Sequence, residues 1–171
     1  RPPHGPVAPK AHDMEREYLI LKTLSTIFPL APKPYLYCEE SSIMEKPFLI
    51  MERKRGVLVD TSFPKGIKVT PALGRHLSEL MVETLVELHS LPYEGTPLEK
   101  ISKPEGFMER QVYGWLKRYE RAKTVEMNEF NQLKSWLIGH IPTSPSPTII
   151  HYDFKLNNAL FSEDVSKMTG L

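Results

Sequence analysis

Apolar residues recur at Met14, Tyr18, Leu21 and Leu24, a spacing that predicts an amphipathic helix. Asp13 stands where a cap belongs, and Glu15 and Glu17 fall in the first turn, where the helix dipole favours negative charge. Pro29, Pro32 and Pro34 end this pattern. Two short apolar runs at residues 35–38 and 48–51 follow and read as a strand pair, the second leading into the polar stretch Glu52-Arg53-Lys54-Arg55-Gly56. Over residues 73–91 the apolar positions Leu73, Leu77, Leu80, Met81, Leu85 and Leu88 trace one helix stripe. Residues 108–123 and 125–141 read as two more helices, closed by a proline-rich turn at 142–147. The next apolar runs, Ile149-Ile150 and Ala159-Leu160-Phe161, look like short strands flanking a polar connection. Helices and short strands in this order predict an α+β fold, and the chain holds no internal repeat.

That polar connection carries the chemistry. His151, Asp153 and Asn158 stand at H-x-D-x-x-x-x-N spacing, the pattern of a kinase catalytic loop. Phosphoryl transfer asks for positioning and charge compensation rather than covalent work. Asp153 would orient an acceptor hydroxyl and take its proton late, since a carboxylate with an ordinary pKa near ~3.9 is a weak base at neutral pH. Asn158 would give a neutral oxygen to magnesium, a hard cation that prefers oxygen ligands. His151 is expected to hydrogen-bond the loop, and Lys155 either contacts the transferring phosphate or is a solvated lysine. His151 and Asp153 could also serve a metal-dependent hydrolase, but no third ligand stands at suitable spacing.

Further segments make the resemblance specific. Arg1-Pro2-Pro3, Ala11-His12-Asp13 with Glu15-Arg16-Glu17, Pro32-Lys33-Pro34, Phe48 to Glu52 with Gly56, Leu85 to Leu91, and His151 to Asn158 fall in one family's order. The chain resembles the aminoglycoside phosphotransferase family, also called the phosphotransferase enzyme family, in the branch related to the kinase-like domain of acyl-CoA dehydrogenase members 10 and 11. The resemblance implies a protein-kinase-like two-lobed fold, incomplete at both ends. Residues 1–55 would form a partial N-lobe of helix, strands and hinge, and residues 56–171 a partial, mainly helical C-lobe with its catalytic loop at 151–158. It implies ATP and Mg2+ as cofactors and a hydroxyl group on a small molecule as acceptor. Glu17 would pair with a basic residue on a preceding strand. Met51, Glu52, Arg53 and Lys54 would form the interlobe hinge whose backbone holds adenine, with Arg53, Lys54 and Arg55 bordering the nucleotide. Asp153 matches the catalytic aspartate and Asn158 the magnesium-binding asparagine.

Three departures from the family pattern stand out. The nine glycines form no G-x-G-x-x-G loop. The chain begins at Arg1, at or just after the place where the family's nucleotide-contacting basic residue falls, and stops before the second magnesium-binding aspartate to which the strand begun at 165–171 would lead. Tyr152 occupies a position that is usually glycine in the family. These departures lead to the expectation that this chain by itself has little or no catalytic activity. They also keep a second reading open, a noncatalytic nucleotide-binding or interaction module.

Composition narrows the remaining choices. A formal net charge of +1 and basic clusters interleaved with acids supply no large phosphate-binding field, which argues against nucleic acid. No run of about eighteen apolar residues or signal-peptide pattern points to a membrane or to secretion. The single cysteine, Cys38, fits a reducing compartment, so the expected location is the cytoplasm, and it reads as a small buried residue beside a strand. Isolated Glu109, Glu120, Glu126 and Glu129 make no dense acidic pocket of the kind an aminoglycoside would need. The branch resemblance makes fusion or association with an acyl-CoA dehydrogenase an expected partnership. Trp115 and Tyr119 lie where the family shapes its acceptor pocket, although aromatics at helical spacing are by default core.

Overall fold

The computed structural model describes residues 13–144 and 146–171. The resembling segments at Arg1–Pro3 and Ala11–His12 lie outside the described residues. Helix α1 (Met14–Ile27) starts as expected: the Asp13 carboxylate accepts from the backbone N–H of Arg16 at 2.9 Å. The turn after it is buried through Phe28 and Ala31, and strand β1 (Pro34–Cys38) leaves from there to pair antiparallel with β2 (Phe48–Met51). Cys38 is half-buried on β1 itself.

Helix α2 (Pro71–Ser90) begins two residues before its apolar stripe, because Thr70 caps it through Leu73 N–H and Pro71 supplies a preset φ with no amide to satisfy. Leu77 and Leu88 are fully buried along its stripe, whereas His89 in its last turn is exposed. A short helix, α3 (Pro97–Ile101), and a two-residue strand, β3 (Val57–Leu58), have no apolar periodicity long enough to announce them. Strand β4 (Leu160–Phe161) lies between β3 and β5 (Met168–Gly170) in an antiparallel sheet.

The strand expected at Ile149-Ile150 does not form. The hydroxyl of Thr148 donates to the carbonyl of His89, and Ile149 packs on the cluster of Leu24, Phe28, Ala31, Leu88 and Leu98. With Ile149 held against helices and Ile150 exposed, the pair joins no ladder among the described residues.

The chain divides into two compact units. In the first, whose described residues are 13–101 and 148–171, two apolar clusters form. One gathers Val59, Leu77, Ala159, Phe161, Val165 and Met168 around the three-stranded sheet; the other is the α1–α3 cluster just named. Leu30 and Leu171 touch both, and the N–H of Leu171 donates to the carbonyl of Leu30 at 3.0 Å.

The second unit, residues 102–147, holds α4 (Phe107–Ala122) and α5 (Asn128–Gly139). Helix α5 is shorter than its apolar pattern suggests. Residues 123–127 instead form a turn in which Lys123 pairs with both Glu120 and Glu126, which raises its pKa above the ordinary lysine value. Tyr119 stacks on Phe130 with ring centroids 3.5 Å apart, but Trp115 is 62% exposed under the guanidinium of Arg118, so the expectation of core fails for Trp115.

Candidate functional site

The polar loop is anchored from its C-terminal side. Ala159 and Phe161 are fully buried, and Phe161 and Leu160 pair with Val57 and Leu58. A single 3₁₀ turn at Leu156–Asn158 links this anchor to the loop, with the Asn158 N–H donating to the Lys155 carbonyl at 3.0 Å. Asn157 donates to the Asp60 carboxylate at 3.3 Å, tying the turn to the segment after β3.

Asp153, Lys155 and Asn158 converge on one carboxylate oxygen. The Asn158 amide donates to the Asp153 carbonyl and to its Oδ2, each at 2.8 Å, and the Lys155 ammonium lies 3.0 Å from the same Oδ2. These contacts, Lys155 first and Asn158 second, hold the Asp153 carboxyl below the usual carboxylate range, against a smaller opposing effect of burial. The group is therefore an anion at neutral pH. Because the Asn158 NH₂ group is committed to Asp153, its carbonyl oxygen is the end left to face a cation.

The backbone is bent where the chain enters this arrangement. Tyr152 has φ +66° with its side chain 73% exposed, and the Asp153 N–H donates to the His151 carbonyl at 2.9 Å. A non-glycine residue in this left-handed region stores strain, so the turn that aims Asp153 is held by its surroundings. Among the described residues His151 meets the loop through its backbone carbonyl. The ring sits edge-on to Phe154 with centroids 5.9 Å apart, and its buried Nδ1 has no partner there.

The remaining candidates lie apart from this cluster. Among the described residues, no hydrogen bond or ion pair joins Glu17, Met51, Glu52, Arg53 or Lys54 to Asp153, Lys155 or Asn158. Glu17 lies half-buried in the first turn of α1, without an ion pair among the described residues. Met51 is the exposed last residue of β2, opposite Pro34, and Arg53 is exposed. Glu52 and Lys54 are both engaged with the turn after α1: Glu52 accepts from Lys33 N–H at 3.1 Å, and Lys54 donates to the Pro29 carbonyl at 2.7 Å.

Sequence reasoning missed the packing that seats this segment. A Cβ on Gly56 would lie 2.5 Å from Thr169 Oγ1 and 2.7 Å from the Phe161 carbonyl, and one on Gly170 would lie 2.9 Å from Lys54 Cβ. Both glycines permit close approach between residues 54–56 and the β4–β5 hairpin. Gly56, directly after a basic run, was the visible signal; Gly170 carried none.

For a metal, the donor set is a partial fit. One neutral oxygen from Asn158 and the Asp153 carboxylate are the oxygen donors of the loop, and among the described residues no group of three His, Cys, Asp or Glu could hold an ion. Magnesium commonly binds through one or two protein oxygens together with substrate phosphates, which this pair could supplement.

Comparison with known proteins bears on the family and the fold. The model of the phosphotransferase enzyme family matches residues 1–171. Acyl-CoA dehydrogenase family member 11 of Pongo abelii is 38% identical over 162 residues, 93% of this chain and 20% of that protein. Acyl-CoA dehydrogenase family member 10 of Mus musculus is 32% identical over 170 residues, 99% of this chain and 16% of that protein. The chain thus spans about a fifth or less of the length of these relatives. A crystal structure from Ralstonia eutropha, assigned as an aminoglycoside phosphotransferase, superposes with a TM-score of 0.80 at 26% identity, covering 94% of this chain and 49% of that one. The α+β, protein-kinase-like fold expected from the sequence is the fold of this neighbour.

Proposed function

Since the chain belongs to the phosphotransferase enzyme family, we propose that it carries the catalytic loop of an ATP- and magnesium-dependent kinase acting on a hydroxyl group of a small molecule. The observation that carries this reading is the convergence of Lys155 and Asn158 on one oxygen of Asp153. With Oδ2 held, the other carboxylate oxygen is the acceptor for a substrate O–H. A carboxylate kept ionised by two donors orients that hydroxyl in line and takes its proton only as the new P–O bond forms. Lys155, tethered at Asp153, brings positive charge to where the transferring phosphoryl group would pass. Asn158 would give its carbonyl oxygen to magnesium, which supplies charge neutralisation on the phosphates when bound.

The acceptor is a small-molecule alcohol, and the kinship with acyl-CoA dehydrogenase family members favours a hydroxyacyl compound over an aminoglycoside. In those relatives the matched segment is one part of a much longer protein, which supports physical linkage to an acyl-CoA dehydrogenase.

The test is a thermal shift of this chain with Mg-ATP beside Asn158→Ala, since a ligand bound to the native state alone raises the midpoint. The expected result is a magnesium-dependent rise that the variant loses. Where transfer from γ-labelled ATP to a hydroxyl compound is detected, it should disappear in Asp153→Asn. Binding that needs neither magnesium nor Asn158 would refute this reading of the site.

A further inference from the structure

Residues 52–54 are more firmly held than a solvent-facing linker requires, and each contact has a separate source. The Glu52 N–H donates to the Lys33 carbonyl at 2.7 Å, and its carboxylate accepts back from the Lys33 N–H at 3.1 Å. Lys54 donates to the Pro29 carbonyl at 2.7 Å and lies 3.4 Å from Glu52 Oε2, with its side chain only 19% exposed. On the other side, the stem of Lys54 presses against Gly170, where a Cβ would meet Lys54 Cβ at 2.9 Å. Next to that contact, Leu171 N–H bonds the Leu30 carbonyl, and both leucines touch the two apolar clusters. The turn 29–33, the segment 52–54 and the end of β5 are thus three backbones joined at one crossing, with the Lys54 ammonium and the Glu52 carboxylate as the bolts.

We infer that Lys54 is a positioning residue, which clips the segment after β2 to the turn after α1 and so fixes the backbone edge that receives adenine, rather than a ligand of the nucleotide's phosphates. The inference rests on the nucleotide-binding reading above and reassigns one residue within it. Its chemistry follows from donor accounting: an ammonium has three N–H donors, and the Pro29 carbonyl and Glu52 carboxylate take two of them inside the fold. The third N–H stays where these two contacts hold the ammonium, and moving it out towards a phosphate would break them and expose the packed stem.

The experiment compares Lys54→Met, which keeps the stem and removes the charge, with Lys54→Arg, which restores a cation, in this chain. Two readouts are taken. Hydrogen exchange at peptides covering 29–34, 50–54 and 168–171 should speed up by roughly tenfold in Lys54→Met and return towards wild type in Lys54→Arg, with residues 71–90 unchanged. Affinities for Mg-ATP and for adenosine, measured by titration calorimetry, should weaken by the same factor, because both present the same base to the displaced edge. Loss of ATP affinity with adenosine unaffected would overturn the inference and make Lys54 a phosphate ligand. Unchanged exchange would overturn it by removing the clip. If wild-type protein binds neither probe, the nucleotide-binding reading and the positioning role both fall, while the exchange result still decides whether the clip itself exists.

Discussion

Gly56→Ala is predicted to destabilise the fold out of proportion to a single methyl group. The added Cβ would lie 2.5 Å from Thr169 Oγ1, 2.7 Å from the Phe161 carbonyl and 2.9 Å from Leu160 Cβ. The carbonyl belongs to a residue in the β3–β4 ladder whose side chain is 0% exposed, so it has nowhere to retreat. Overpacking of this kind costs about 1–3 kcal/mol, and for a chain of this size each kcal/mol lowers the melting midpoint by about 2–4 °C. The expected loss is therefore between ~2 and ~12 °C. Thr169 allows the cause to be isolated, since its Oγ1 is buried with no partner among the described residues. Thr169→Ala alone should be close to neutral, as shedding an unpaired buried hydroxyl offsets the lost methyl. In the double variant the cost of Gly56→Ala should shrink but persist, because the Phe161 carbonyl remains. Urea unfolding of the four proteins, followed by circular dichroism, gives the coupling energy directly, with unchanged m-values as the check on two-state behaviour. A Gly56→Ala protein melting within a degree of wild type, or a strictly additive cycle, would refute the steric reasoning.

Other predictions are more local. Phe161→Ala, at a position fully buried among Val59, Leu77, Val165 and Met168, should lower stability by about 3–5 kcal/mol in urea unfolding and so loosen the anchor of the loop at 151–158. Lys155→Met removes the largest influence holding Asp153 down, so its carboxyl should titrate higher by NMR; an unmoved titration would mean that the ion pair does not form in solution. Asp164 accepts from the hydroxyls of Ser162 and Ser166 and from Ser166 N–H, which lowers its pKa to about 2. A depressed carboxylate stabilises the fold above its unfolded value of 3.8 and loses that contribution as pH falls towards its folded value. The stability gap between wild type and Asp164→Asn should therefore be constant at neutral pH and narrow between about 4 and 2; a gap that does not change with pH would contradict it.

What could be read from the sequence was what repeats or caps. The α1 stripe with Asp13 and the α2 stripe were legible, since buried positions recur every three to four residues and their caps are chemically distinctive. The convergence of Asp153, Lys155 and Asn158 was foreshadowed by spacing alone, because a single turn at Leu156–Asn158 brings residues two and five apart onto one oxygen. The apolar run Ile149-Ile150 misled because pairing depends on a neighbour that local pattern does not specify. The engagement of Glu52 and Lys54 with residues 29–33 was hidden for the same reason: their partners are backbone atoms about twenty residues away, and backbone leaves no mark on side-chain pattern. Trp115 looked like core by its spacing, yet it lies outside beneath Arg118.

The contact between Leu30 and Leu171 bears on how the protein is made. Helix α1 and the turn after it are made before the residue that seals them to the sheet, which is synthesised roughly 140 positions later. At ~5–20 residues per second, that gap lasts on the order of ten seconds. For that interval Leu24 and Phe28 have only the cover that Leu88 and Leu98 give, and Val59 waits for Phe161, Val165 and Met168. Codon choice or chaperone supply upstream of β4 should therefore govern the soluble yield of this protein more than changes to α1 itself.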